Sequence, residues 1–274
     1  METKNIKIKD TTLKIFSFLD RVNLINNKEE FMKKITEDAE KTNSEGFSGF
    51  KDKEGFKSHL ESWVLGGSLT NEKYVLDKIP INKCLELIKE VFEKIQGVLD
   101  RREIHIYLFP TLSRFTIEKM GGSGGVLIWK NIIYIDVFPK KGWEKSFKNS
   151  ITHEVAHALS PFFDVNKMSI GEGLVFDGIA ENFKEKFIDR KKSNWVSVLS
   201  EEDSKKLLEE IKPKLNEKDY ELYNELFFGT GKYPLWAGYS LGYYIVKKYL
   251  KKHKDVNWKK LLRIDPKEIL NGIS

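Results

Sequence analysis

His153-Glu154-Val155-Ala156-His157 constrains this chain more than any other stretch of its 274 residues. It sits inside 143–160, a segment free of proline and glycine, with Phe147, Ile151, Val155 and Leu159 four residues apart. That spacing predicts a helix. On a helix, residues four apart project from one face, so both imidazoles can reach a single metal ion. Glu154 lies roughly 100° around the same helix, placed to act on a water at the metal and not on the metal itself. The chain has only five histidines, so chance would produce such a pentapeptide on the order of once in a hundred chains.

A catalytic zinc site normally takes three protein ligands and keeps one position open. Cys84 is the single cysteine, which excludes a disulfide framework and a cysteine-rich zinc module. The third ligand must therefore be another imidazole or a carboxylate. A metzincin pattern would need glycine at 160 and histidine at 163, where the chain has Ser160 and Phe163. Further on, the segment 169–183 offers Glu172, Asp177 and Glu181. Asp177 and Glu181 are one helical turn apart on one face, so one can bind metal while the other holds a ligand histidine's free N–H. Spacing favours Asp177, and both stay open. Glu172, about 140° away from Asp177, is the least suited.

These residues resemble the gluzincin arrangement of zinc peptidases, with H-E-x-x-H on one helix and a glutamate ligand in E-G-x-A on the next. They are more closely similar to a bacterial family of predicted zinc-dependent proteases, which carries H-E-x-x-H, E-G-L-A-E-x-F and a Trp-Ala-Gly-Tyr segment. This chain has His153–His157, Asp177-Gly-Ile-Ala-Glu181-Asn-Phe183 and Trp236-Ala-Gly-Tyr239, and the similarity spans roughly 105–270. One position departs from the pattern: the gluzincin glutamate is replaced by Asp177, one methylene shorter. The resemblance implies a Zn2+ cofactor, a peptide or protein substrate and Glu154 as general base. It also implies a phenol or imidazole from a later helix to stabilise the oxyanion, and Tyr239 is the candidate. The alternative for Tyr239 is the aromatic face of a core helix.

The fold class expected is α+β, a small sheet with a hairpin packed beside a mainly helical body. Residues 1–100 read as a mainly helical region, with loop signals at 43–50 and 66–70. Residues 101–274 read as a zincin-like metallopeptidase domain. In it, 104–109 is a strand, and 126–129 and 132–138 flank the Lys130-Asn131 turn as a hairpin. Gly121–Gly125 reads as a loop leading to an edge strand that lines the cleft. Helices are expected near 143–160, 170–188, 201–212, 217–228 and 236–252. His105 reads as a sheet-face residue, His59 and His253 as surface, and Cys84 as a small buried hydrophobe.

The formal charge of +6 comes from scattered lysine pairs such as Lys140-Lys141 and Lys251-Lys252, with no basic patch for nucleic acid. No apolar run reaches the roughly 18–20 residues of a membrane span. The first ten residues lack an apolar core for a secretory signal, so the chain reads as cytoplasmic. Oligomeric state is left open. Two other functions fit the motif: a zinc hydrolase of a non-peptide amide, and a catalytically silent zincin-fold partner-binding protein. The intact Glu154 argues against the silent protein.

Overall fold

The first strands of the computed structural model come earlier than helical spacing suggests. Residues 2–25, 27–42, 53–66, 78–100, 102–162 and 167–272 are described. β1 (Glu2–Ile8) and β2 (Thr11–Ser17) pair antiparallel, so the expectation of a mainly helical first hundred residues is corrected at its start. The alternation of charged and apolar residues in 2–8 is the period-two pattern of an edge strand with one face in water. Three helices follow: α1 (Lys28–Thr42), α2 (Lys53–His59) and α3 (Ile81–Ile95). Phe31, Ile35 and Ala39 are buried on α1, and Ile88, Val91, Phe92 and Ile95 on α3, as their spacing predicts. Cys84 is buried too. The loop expected at 43–50, most of that at 66–70, and Phe163 lie outside the described residues.

The chain divides into two units, Met1–Ala158 and Leu159–Ser274. The first is built on a five-stranded mixed sheet that adds β3 (Glu103–Pro110), β4 (Ser123–Trp129) and β5 (Ile132–Val137). The strand order is β1-β2-β3-β5-β4, with β2, β3 and β5 parallel to one another and β4 antiparallel to β5. β4 is thus an edge strand, and the β4–β5 pair is the hairpin expected at Lys130-Asn131. The helix that carries the histidine motif, α4 (Trp143–Leu159), comes next.

Alternation gives the sheet two unlike faces. Leu13, Ile15, Ile106, Leu108, Ile133 and Ile135 share the aliphatic face by register. The opposite face carries Phe16, Phe18, Tyr107 and Phe109, whose rings stack, and Tyr134, which meets Tyr107 tilted and Phe109 edge-on. Helix α2 covers the aromatic face, with Phe56 and His59 edge-on to Tyr134. His59 is therefore no surface residue: burial pushes its imidazole down to about 4. His105 is on the aromatic face, bonded to Glu103, as a sheet-face residue should be.

The second unit is helical: α5 (Ile170–Phe187), α6 (Glu201–Ile211), α7 (Tyr220–Phe228), α8 (Ala237–Lys252), α9 (Trp258–Leu261) and α10 (Pro266–Asn271). Ser169 starts α5 with a capping box, its hydroxyl accepting from Glu172 N–H and its own N–H donating to the Glu172 carboxylate. α5 and α8 cross where Gly178 and Gly242 meet. A Cβ on Gly178 would collide with the Gly242 carbonyl, and one on Gly242 with the Leu174 carbonyl. Asn182 holds the crossing by donating to the carbonyls of Gly178 and Tyr243 at 2.8 and 3.2 Å. Among the described residues, no helix is long and apolar enough to cross a membrane.

Candidate metal centre

The floor under α4 is aliphatic, and the helix is tied down along its length. Ser150 Oγ donates to the Ser123 carbonyl at 3.1 Å, and Lys148 pairs with Glu90 of α3 at 3.0 Å. Arg102 donates to the Ala158 carbonyl, placing a cation where the helix dipole is negative. On this helix His153 and His157 are both buried, their rings at 87° and their Nε2 atoms 2.9 Å apart. Asp177 on α5 is buried as well. One ligand atom from each of His153, His157 and Asp177 lies within 4.8 Å of the other two. Two imidazole nitrogens and a carboxylate oxygen form the donor set of a catalytic zinc site with its fourth position open. The residues fit such an ion.

Glu154 lies against the edge strand. A Cβ on Gly125 would stand 2.8 Å from Glu154 Cγ, 3.4 Å from its Oε1 and 2.9 Å from Ile135 Cδ1. Glycine at 125 is what lets β4 pass the stem of this carboxylate. The sequence flags the glycine run but not its reason, because clearance for a residue 29 positions away leaves no local pattern.

The remaining acids of α5 are engaged elsewhere. Glu172 is held in the capping box. Glu181 accepts from Trp195 Nε1 at 2.7 Å and Ser193 Oγ at 3.1 Å, with the Lys184 ammonium 3.4 Å away. Glu181 and Lys184 are almost wholly buried, and a pair so placed needs these extra donors to offset its lost hydration. Ser240 of α8 fastens the same turn, donating to the Trp195 carbonyl and accepting from the Val198 and Leu199 N–H groups.

The Trp236–Tyr239 segment begins α8. Trp236 enters it from left-handed backbone, at φ 73°. A Cβ on Gly238 would press within 2.8 Å of the Phe227 ring, so glycine there lets α7 and α8 pack closely. Tyr239 is half-buried, edge-on to Phe227 at 5.1 Å. Tyr243, on the same helix, donates to Glu185 at 2.5 Å. One tyrosine not singled out in the sequence, Tyr223 of α7, lies over α5 at Gly173. No local motif marks it, because α7 is set over α5 by tertiary packing.

No curated protein and no solved structure matches the chain. Residues 84–271 match the family described as "Predicted Zn-dependent protease (DUF2268)", so the cofactor in the family's description is the ion this buried group could hold. That match takes in α3, the sheet from β3 onward, the motif helix and nearly all of the second unit, and the chain belongs to this family of predicted Zn-dependent proteases.

Proposed function

We propose that the protein is a zinc-dependent peptidase of gluzincin type, with His153, His157 and Asp177 as metal ligands. The observation that carries this reading is the convergence of those three buried ligand atoms within 4.8 Å. Asp177 is preferred to Glu181 because the Glu181 oxygens are occupied by Trp195, Ser193 and Lys184. The helix-borne motif beside a mixed sheet supports a zincin-like fold, with residues 101–274 as the metallopeptidase part. The lone thiol supports a cytoplasmic setting.

His153, His157 and Asp177 would hold a zinc ion, which would supply Lewis-acid polarisation of a carbonyl and a more acidic water. Glu154 would serve as the general base, accepting a proton from the attacking water at its carboxylate and returning it to the leaving nitrogen as the C–N bond breaks. The half-buried phenol of Tyr239 donates a hydrogen bond to the oxyanion that develops.

Metal analysis coupled to a chelator-reversible assay on a peptide library tests the reading. About one zinc per chain with cleavage that chelation stops and zinc restores supports it. Zinc at that ratio with no peptide cleaved would favour a non-peptide amide or a silent partner-binding protein. Asp177→Ala should lose zinc and Glu181→Ala should keep it, and the reverse pattern would move the third ligand to Glu181.

A further inference from the structure

The turn that carries Tyr239 begins on a residue poorly suited to start a helix. Trp236 is the N-cap of α8, yet its backbone is left-handed, at φ 73° and ψ 14°, and its side chain caps no N–H group. Asparagine or glycine would suit both that backbone and the cap. Among the described residues, the other non-glycine positions with positive φ are Lys9 and Lys130, in two-residue hairpin turns where such angles belong. What tryptophan adds at 236 is its ring, and a bulky residue keeps this conformation only where its surroundings fix it. The ring meets Trp195 edge-on, with centroids 6.3 Å apart at 64°. Trp195 is itself held at both ends. Its indole N–H donates to Glu181 Oε1 at 2.7 Å, and its carbonyl accepts from Ser240 Oγ at 3.1 Å. Ser240 follows Tyr239 in the chain, and its N–H closes the first turn of α8 on the Trp236 carbonyl at 3.1 Å. Trp195 therefore touches the turn on both sides of Tyr239, at the ring of Trp236 and at the hydroxyl of Ser240. Its anchor is firm, because Ser193 and Lys184 hold the other Glu181 oxygen.

We propose that Trp195 is a positioning residue for Tyr239: anchored on Glu181, it fixes the first turn of α8 and with it the direction of the phenol. The inference rests on the oxyanion role proposed above for Tyr239. A donor to a developing oxyanion contributes most when its direction is set before the charge appears. A turn started by a left-handed residue with no side-chain cap does not hold that direction by itself, and the contacts of Trp195 supply what the cap does not. Glu181, the second acid of the Asp177–Glu181 segment, then serves the same reaction from outside the ligand set.

The test is peptide cleavage at equal zinc content for wild type, Trp195→Phe, Ser240→Ala, Tyr239→Phe and the double variant Trp195→Phe with Tyr239→Phe. Beside it, fluorotyrosine placed at 239 reports the phenol's surroundings by fluorine NMR with no substrate present. Trp195→Phe keeps a ring near Trp236 and loses the N–H on Glu181. Its kcat should fall about tenfold, part of what removing an oxyanion donor costs, with KM within about twofold of wild type. The fluorine resonance should shift. Ser240→Ala should act in the same direction and less, and it keeps the test open if Trp195→Phe does not fold. On the Tyr239→Phe background, Trp195→Phe should add nothing, because the hydroxyl it directs is already gone. An equal loss on both backgrounds, or an unmoved resonance in Trp195→Phe and Ser240→Ala, would overturn the proposal, whether or not any peptide is cleaved. If Tyr239→Phe turns over like wild type, the oxyanion role falls and takes this inference with it. If Tyr239→Phe loses turnover while Trp195→Phe and Ser240→Ala do not, only the role of Trp195 falls.

Discussion

Neighbouring glycines on β4 look to opposite sides of the sheet, and each sits beside a buried carboxyl. Gly125 is on the aliphatic face and gives room to Glu154 of α4. Gly124 pairs with Asp136 of β5 on the aromatic face, where Met120 and Trp63 lie 3.4 and 3.5 Å from where its Cβ would be. Asp136 is fully buried, neither of its oxygens has a hydrogen-bond partner among the described residues, and burial holds its carboxyl well above the usual carboxylate range. A perturbed acid in a protein interior is often taken as a mark of a working site. Here that criterion would choose the face opposite the one proposed to work. What singles out Glu154 is its place between two histidines whose nitrogens converge, and Asp136 has no such company.

The sharpest way to break this contrast is to neutralise both acids. Glu154→Gln should lower peptide hydrolysis by about 100-fold or more while zinc stays bound, the usual weight of a general base. Asp136→Asn should leave turnover within about twofold of wild type. Equal losses in the two variants, measured as kcat at constant zinc content, would erase the distinction.

The glycines give a second comparison of smaller size. Gly125→Ala forces a methyl against both Glu154 Cγ and Ile135 Cδ1, at 2.8 and 2.9 Å. Crowding of this kind costs about 1–3 kcal/mol, and kcat should fall roughly tenfold as Glu154 is displaced. Gly124→Ala meets its neighbours at 3.4 Å or more, ordinary contact, so urea denaturation should place it within about 0.5 kcal/mol of wild type. A Gly125→Ala enzyme with full turnover would show that the base does not depend on this clearance.

Sequence patterns reached the parts of the molecule governed by local spacing. The histidine helix, the β4–β5 hairpin and α5 with its Ser169 start fall within a few residues of their expected bounds. Strands β1 and β2 did not show: β1 is an edge strand with charges on its open face, and β2, though paired on both sides, has Thr11, Thr12 and Lys14 interrupting the apolar run that marks a strand such as β5. His59 was misplaced for a similar reason: lysine and serine beside it signal surface, whereas its ring packs on Tyr134 of a distant strand. The choice between Asp177 and Glu181 stayed open on spacing alone. The partners that occupy Glu181 lie 12 and 14 residues further along, in a turn that carries no motif.

Replacing Asp136 by an apolar residue sharpens the contrast on the stability side. A buried polar group without partners costs about 1–3 kcal/mol, and valine suits a central strand. Asp136→Val should therefore raise stability by about 1–2 kcal/mol in urea denaturation, with turnover unchanged. A destabilised variant would mean that the carboxyl is satisfied in solution, for which a bound water is the simplest agent.

The smallest effect expected is a change of slope with pH, and it pits two groups of the aromatic face against each other. Burial raises Asp136 in the folded state, so the folded protein holds this proton more tightly than the unfolded chain. Its contribution is complete below about pH 4, the unfolded carboxyl value, and is lost as pH rises toward the folded-state value. Burial lowers His59 from 6.5 to about 4, so here the unfolded chain binds the proton more tightly. That contribution is complete above about 6.5 and is lost as pH falls toward 4. Across pH 4–6.5 the two slopes oppose, each limited to about 1.4 kcal/mol per pH unit for one proton. Stability measured across this window should be nearly flat in wild type. Asp136→Asn should make it rise with pH, through the histidine alone, and His59→Gln should make it fall, through the acid alone. Slopes of the same sign in the two variants would mean that one of these groups titrates with the solvent, and that the aromatic face is less sealed than its packing implies.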